Sequence, residues 1–371
     1  MAEVVREHAP GTHPDLPPPV TSRGIVRWAR ENLFSSWTST VLTVLCVYLI
    51  YLAIPPTVNW FFLDSVVDAG SRSECWEQGS GACWAVVVVR FDQLMYGFYP
   101  EHLRWRVDLT FVLLFFALVP ILFDKVPYRR YGLLLSLIYP IIAYFLLWGG
   151  LAFEPVESSK FGGFMLTAVI GITGIACSLP LGILLALGRR SNMLVFKVVC
   201  VCFIEFIRGV PLITLLFVAS TLLNYFLPPG TYFDLLLRVL IMVTLFSAAY
   251  LAEVIRGGLQ AIPKGQFEAA AAMGLSYWKM MALIILPQAL KISIPGIVNT
   301  FIGLYKDTTL VVIIGLLDPL GLSQSILADS KWQGLSTEIY IFIAIFFFIS
   351  CFAMSRYSIY LENKLHTGHK R

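Results

Sequence analysis

Two short groups of charged and polar residues interrupt a chain built otherwise of long apolar runs. Glu205 and Arg208 stand three residues apart in the run 196–226, and Lys306, Asp307, Thr308 and Thr309 stand together late in the run 289–316. A charge in hydrocarbon costs a few kcal/mol or more, so it is kept where it pairs, binds a solute or lines a path. Glu205 and Arg208 share a helical face at i,i+3. Counted at about 1.5 Å per residue from Phe196, they fall near mid-bilayer. Pro211 cannot donate to the carbonyl of Ile207, which frees backbone at that depth. Lys306–Thr309 follows Pro295, Gly296, Asn299 and Thr300, where Pro and Gly are expected to break the helix and present free amides and carbonyls. Both signs of charge suit a zwitterion: its carboxylate needs a cation or free amides, its ammonium needs Asp307 or freed carbonyls. The expectation is that Arg208, Lys306, Asp307 and Thr308 approach one cavity, with Glu205 and Thr309 in support. The competing reading of each group is an ion pair that only locks helices together.

Other chemistry is poorly represented. No Gly-x-x-x-x-Gly-Lys phosphate loop occurs, so ATP is not expected to bind by that route. The five histidines are His8, His13, His102, His366 and His369; none lies in a span, and no pair makes a metal site. No Ser–His–Asp arrangement is visible. An embedded enzyme therefore lacks a catalytic constellation, and neither a cofactor nor a metal is expected.

Composition sets the class. Hydrophobic residues make up 58% of 371 and charged residues 13%, about half the usual share of a soluble domain. Mean hydropathy is +0.77. The expected fold is an all-α polytopic membrane protein with about eight transmembrane helices: 39–58, 107–123, 131–149, 164–187, 196–226, 235–254, 289–316 and 337–358. Two are long because kinked or re-entrant pieces interrupt them. No cleavable signal peptide is expected, and no basic cluster suggests nucleic acid.

Lysine and arginine set the orientation. With the N-terminus inside, the inner segments hold seventeen and the outer segments six. Both termini and residues 255–287 are expected inside, and residues 60–106 outside. Segment 1–35, rich in proline, reads as a disordered cytoplasmic tail. Segment 36–150 reads as a three-helix extension with a long outer loop, and 155–371 as a five-helix core. Glu253 and Arg256, at the inner end of a span, read as an interfacial or gate ion pair.

Between the third and fourth spans of that core lies Glu268-Ala269-Ala270-Ala271-Ala272-Met273-Gly274, followed by Ile284-Ile285-Leu286-Pro287. Four alanines give high helix propensity with almost no side-chain bulk, so the helix can sit deep in a partner's groove. Gly274 is a natural helix stop, and Ser276 can cap the next helix. The expected result is a rigid helix–turn–helix knob.

That spacing resembles the coupling motif of ABC importer permeases. Glu205-Phe-Ile-Arg208-Gly-Val-Pro211, Ala249-Tyr250-Leu-Ala-Glu253-Val-Ile-Arg256-Gly-Gly258, Pro287-Gln288-Ala-Leu and Leu304-Tyr-Lys306-Asp307-Thr-Thr309 are in register with it. Together they are similar to the permeases of polar amino-acid uptake systems, over about 160–360. The three extra spans look like those of the larger permease in bacterial general L-amino-acid transporters. The resemblance implies a type I importer core in the inner membrane. It implies that Glu268, Ala269, Ala270, Gly274, Leu286 and Pro287 dock an ABC ATPase dimer. It also implies a second permease of different sequence and a periplasmic amino-acid-binding protein as partners. A secondary, ion-coupled transporter or a channel is the alternative; the knob argues against it, because an ion-driven carrier needs no such loop.

The cysteines divide by location. Cys46, Cys177, Cys200, Cys202 and Cys351 lie in apolar spans and read as packing residues. Cys75 and Cys83 lie in the outer loop, where a disulfide is a candidate and Gly79 and Gly81 would let the short loop close. Trp60, Trp76, Trp84, Tyr96, Tyr99 and Trp105 read as an interfacial belt, with Trp84 to Leu94 an amphipathic segment on the membrane.

Overall fold

The computed structural model describes residues 24–150, 153–222, 225, 228 and 233–365. Among the described residues seven helices are long and apolar enough to cross a membrane, and a pair bent by 105° makes eight if it is one span. No strand occurs among the described residues, only isolated bridges. The chain forms two compact units: residues 1–66 with 78–82, and 67–77 with 83–371.

The first unit carries α1 (Gly24–Asn32) and α2 (Trp37–Val58). The expected tail is thus helical from Gly24, where Arg27 and Glu31 pair one turn apart at 2.8 Å; residues 1–23 lie outside the described ones. Ser36 caps α2 by accepting from the amide of Ser39. Past α2 the chain folds back on itself: the amide of Val66 donates to Ala82 and that of Ala82 to Trp60. Gly81 packs on the backbone of Asp64, where a Cβ would stand 2.5 Å from the carbonyl carbon.

The second unit opens with α3 (Arg72–Gln78), α4 (Ala85–Val89) and α5 (Phe91–Tyr96). The sulfurs of Cys75 and Cys83 are bonded, with Cα atoms 5.8 Å apart. The segment expected as one amphipathic stretch is broken at Arg90 into α4 and α5; it buries Ala85, Val86, Val87 and Leu94 and exposes Val88, Val89 and Phe91. Tyr99 is buried too and donates to the carbonyl of Leu147 at 2.9 Å, so it is a core residue and not part of a belt.

Helices α6 (Arg104–Leu122) and α7 (Arg129–Trp148) form a hairpin. It is tied to the last helix, α16 (Ser336–Leu365), where Tyr357 donates to the Leu122 carbonyl and Lys364 pairs with Asp124. The bundle centre is α8 (Gly163–Arg189) against α11 (Leu235–Gln260), with α14 (Leu286–Asp307) on its other side. Small residues set these approaches. A Cβ on Gly182 would meet Leu251 at 2.7 Å, and one on Gly258 would meet Ser293 at 2.1 Å.

Between α8 and α11 runs the bent pair, α9 (Leu194–Gly209) and α10 (Leu212–Phe217). Pro211 stands at the bend, as its missing N–H requires. The helix does not break at Pro295 and Gly296. Helix α14 runs through them; Thr300 donates its hydroxyl to the Gly296 carbonyl at 2.9 Å, and Gly296 makes room for Val254, which a Cβ would meet at 2.6 Å. The break comes later: residues Thr308–Ile314 tighten to a 3-10 turn that ends at Gly315, φ 90°. That turn packs against α10, and Leu212, Leu216, Leu304 and Val311 share one core cluster. The two interrupted elements therefore meet.

Candidate functional site

The charges of α9 find partners on other helices. Glu205 and Arg208 do not pair with each other. Arg189, the last residue of α8, lies 2.7 Å from Glu205 and 2.9 Å from Glu253 on α11. Arg208 stands 3.6 Å from the second oxygen of Glu253, and Arg256 2.9 Å from it. Arg208 also lies over the ring of Tyr250, 5.6 Å from its centroid. Five residues on three helices thus form one ionic network, three arginines around two carboxylates, with Glu253 as its hub. The group lies level with the end of α8 and two turns from the end of α11, and contact with Arg189 fixes the level of Glu205.

Glu253 and Arg256 do pair, but inside this larger network. Glu253 is the best shielded member, its side chain 14% exposed against 54% for Glu205. Breaking a shielded charge pair on one side leaves the other charge uncompensated, so Glu253 holds the three helix ends in register.

Immediately beyond lies α12 (Lys264–Ala272). Ala270 is fully buried and Ile262 nearly so, which seats the helix; Glu268, Ala269, Ala271 and Ala272 are exposed. Gly274 ends it with φ 72°, a left-handed conformation that suits glycine, and no atom would crowd a Cβ there. Ser276 occupies the cap position of α13 (Tyr277–Met280) but makes no capping bond. Met273, Tyr277 and Trp278 project into solvent, 74%, 48% and 68% exposed, beside the bare alanine face. The chain then makes one wide turn, Met281–Ile285, and enters α14 with Leu286 half-buried against the core and Pro287 in its first turn. Gln288 donates to the side chain of Gln266 at 3.2 Å and so ties α14 back to α12.

Arg190 makes the second tie. It donates to the carbonyl of Leu259 at 3.0 Å and lies over the ring of Phe267 in α12 at 5.6 Å. Consecutive arginines therefore serve the ionic network and the knob.

At the far end of α14, Lys306 is exposed and Asp307 half-buried. Thr308 is fully buried and donates to the Tyr305 carbonyl at 2.8 Å; Thr309 donates to the Lys306 carbonyl at 2.9 Å. Among the described residues no ion pair or hydrogen bond joins Arg208 to residues 306–309. The expected convergence of Arg208 with them in one cavity is therefore not formed by direct contact. Thr308 seals helix packing and does not face open space.

Sequence reasoning missed the tertiary roles of three polar residues, of which Arg238 and Asp318 are buried and Arg189 is partly exposed. Arg189 was read only as an inner positive charge. Arg238 in α11 is 9% exposed and donates to the carbonyls of Ala219 and Ser220, closing the end of the bent span. Asp318 is fully buried and caps α15 (Pro319–Leu327). Aspartate just before proline was the available signal for that cap.

A family model described as "Binding-protein-dependent transport system inner membrane component" matches residues 178–367. The glutamate/glutamine/aspartate/asparagine transport system permease protein BztC of Rhodobacter capsulatus is 48% identical, over 95% of this chain and 96% of its own. The inner membrane amino-acid ABC transporter permease protein YhdY of Escherichia coli K12 is 49% identical, over 96% and 97%. The probable glutamine ABC transporter permease protein GlnM of Bacillus subtilis is 32% identical, over 56% of this chain and 93% of its own. With α8, α9, α11, the knob and α14–α16 inside or straddling the matched region, the chain belongs to the family of binding-protein-dependent transport system inner membrane components.

Proposed function

We propose that this chain is one of two different permease subunits of an ATP-driven importer for polar L-amino acids in the inner membrane of a bacterium, with both termini cytoplasmic. The substrate class is carried over from the full-length relatives, whose own names specify amino acids. The excess of Lys and Arg on the side of residues 255–287 supports the orientation. A periplasmic binding protein delivers the solute, and a separate ABC ATPase dimer hydrolyses ATP.

The observation that carries the reading is the knob. Helix α12 is bare, exposed and ends in a left-handed glycine, and Tyr277–Ile314 leads from it as one nearly continuous helical stretch. Over α14 alone that stretch is about 32 Å long. Closure of the ATPase dimer pushes α12; the push reaches Lys306 and Asp307 along α14, and reaches the ionic network through Phe267, Arg190 and Arg189. Opening and closing the Arg189–Glu253–Arg208 contacts then gates the inner end, while Lys306, Asp307 and Arg208 present both signs of charge to a zwitterion.

The test is uptake of labelled glutamate and glutamine into proteoliposomes that hold this chain, its partner permease and the ATPase. Uptake should require both ATP and the binding protein. Uptake driven by an ion gradient without ATP would overturn the proposal.

A further inference from the structure

We propose that the seam between the α6–α7 hairpin and the core is a binding site for one amine-headed phospholipid of the phosphatidylethanolamine type. An apolar cavity of about 270 Å³ lies there, bounded by Phe111 and Leu114 of α6, Ala143 of α7, and Ala168, Ile172 and Cys177 of α8. A more polar cavity of about 540 Å³ shares Tyr144, Trp148 and Leu240 with it and is lined also by Glu157, Ser158, Ser159 and Asp234. The two are one amphipathic slot with an oily depth and a polar mouth.

Its dimensions match a lipid chain. On α8 the apolar part runs from Met165 to Cys177, a rise over twelve steps of about 18 Å. One leaflet of hydrocarbon is about 15 Å. The mouth lies just before α8 and at the start of α11, where the headgroups belong. Tyr144 and Trp148 stack there at 5.5 Å, as interfacial aromatics do.

The charge of the mouth selects the head. Asp234 accepts from the amides of Leu236 and Leu237 and from the hydroxyl of Ser158; Glu157 accepts from Ser159. All these donors are neutral, and among the described residues neither carboxylate has an ion pair. An ammonium supplies the missing charge and the missing donors. Lys160, exposed at the end of the same turn and outside the cavity wall, is the cation within reach of a phosphate at the mouth. A free amino acid would satisfy the carboxylates but leave the apolar depth unfilled, so the lipid is the better occupant.

The test is native mass spectrometry of the delipidated whole complex, titrated separately with phosphatidylethanolamine, phosphatidylcholine and phosphatidylglycerol. The wild type should retain one phosphatidylethanolamine per copy of this chain, in preference to the other two lipids. Ala168→Phe fills the slot and should abolish retention, while the complex stays monodisperse. Glu157→Gln should weaken it roughly tenfold, about 1.4 kcal/mol. If Ala168→Phe fails to insert, Ala143→Leu reads the same cavity with a smaller change. Equal retention in the filled variant, equal retention of phosphatidylglycerol, or displacement of the lipid by glutamine would each overturn the site.

Discussion

The guanidinium of Arg190 lies 5.6 Å over the ring of Phe267, across the gap between the end of α8 and α12. The contact is a cation–π pair worth about 0.5–1 kcal/mol at an exposed site. It is small enough to be broken and remade, which suits a joint that transmits movement. Phe267→Ala should leave the chain inserted and the ATPase bound, but raise the ATP hydrolysed per amino acid imported. Phe267→Tyr should restore the ratio. A normal ratio in Phe267→Ala would mean that the push travels by α14 alone.

Gly274 has φ 72° and free space around its missing Cβ. Backbone conformation is therefore the only cost of a side chain there. Gly274→Val should introduce strain of about 1–3 kcal/mol at the tip of the knob, whereas Gly274→Asn tolerates the left-handed region. Uptake should fall strongly in the first and stay near wild type in the second, with equal amounts of chain in the membrane. Equal activity of both variants would remove Gly274 from the coupling assignment.

Much of this was legible because it is local. Hydropathy, proline at 211 and glycine at 274 act within a few residues, and the spans, the bent pair and the knob follow from them. The ionic network was not legible. The i,i+3 spacing of Glu205 and Arg208 describes a face, but Arg189 and Glu253, brought near by glycines that let α8 and α11 close on each other, compete for the same charges. Proline and glycine at 295–296 misled for a related reason. Gly296 serves contact with Val254, and the Thr300 hydroxyl occupies its carbonyl, so a sequence that looks like a break is a packed helix.

Cys75 and Cys83 close a loop eight residues apart, and both are buried. Chain entropy alone makes such a bond worth about 2.5 kcal/mol. Cys75→Ser should lower the melting temperature of the purified chain and expose Cys83 to alkylation. In the wild type neither thiol should react with an alkylating agent until a reductant is added. Reaction of both without reductant would show that the pair is not oxidised in the cell.

Asp318 gives the segment between α14 and α16 a pH dependence. Burial pushes its carboxyl from 3.8 up to about 6, against the hydrogen bonds that Gly321 and Leu320 donate to it. Between those values the folded chain binds more protons than the unfolded one, so stability should fall as pH rises through that window and level off above it. A shift of about two units corresponds to roughly 3 kcal/mol. Melting of the purified chain in detergent should therefore weaken from pH 4 to pH 6.5. Asp318→Asn keeps a capping oxygen without the charge and should flatten that slope; an unchanged slope would assign it to other groups.

Glu253 and Asp307 are both carboxylates inside the bundle, and their variants should separate gating from solute recognition. Glu253 meets three arginines, so Glu253→Gln leaves Arg208 and Arg256 without their carboxylate. It should slow transport for every substrate alike and raise ATPase activity in the absence of the binding protein. A double-mutant cycle on Arg208 and Glu253 should return a coupling of about 0.5–3 kcal/mol in thermal stability, and one on Arg208 and Glu205, which are joined only through Arg189 and Glu253, should return a smaller one. Asp307 and Lys306 have no ion-pair partner among the described residues, and Lys306 is exposed. Lys306→Ala and Asp307→Ala should therefore leave stability and basal ATPase activity near wild type, but raise the apparent KM for uptake and change the ranking of glutamate against glutamine. Loss of the carboxylate at 307 should favour the more negative substrate, and loss of the ammonium at 306 should disfavour it. If both alanine variants carry the two substrates with wild-type KM and ranking, the solute passes elsewhere, and the charges at 306 and 307 belong to the packing of α14.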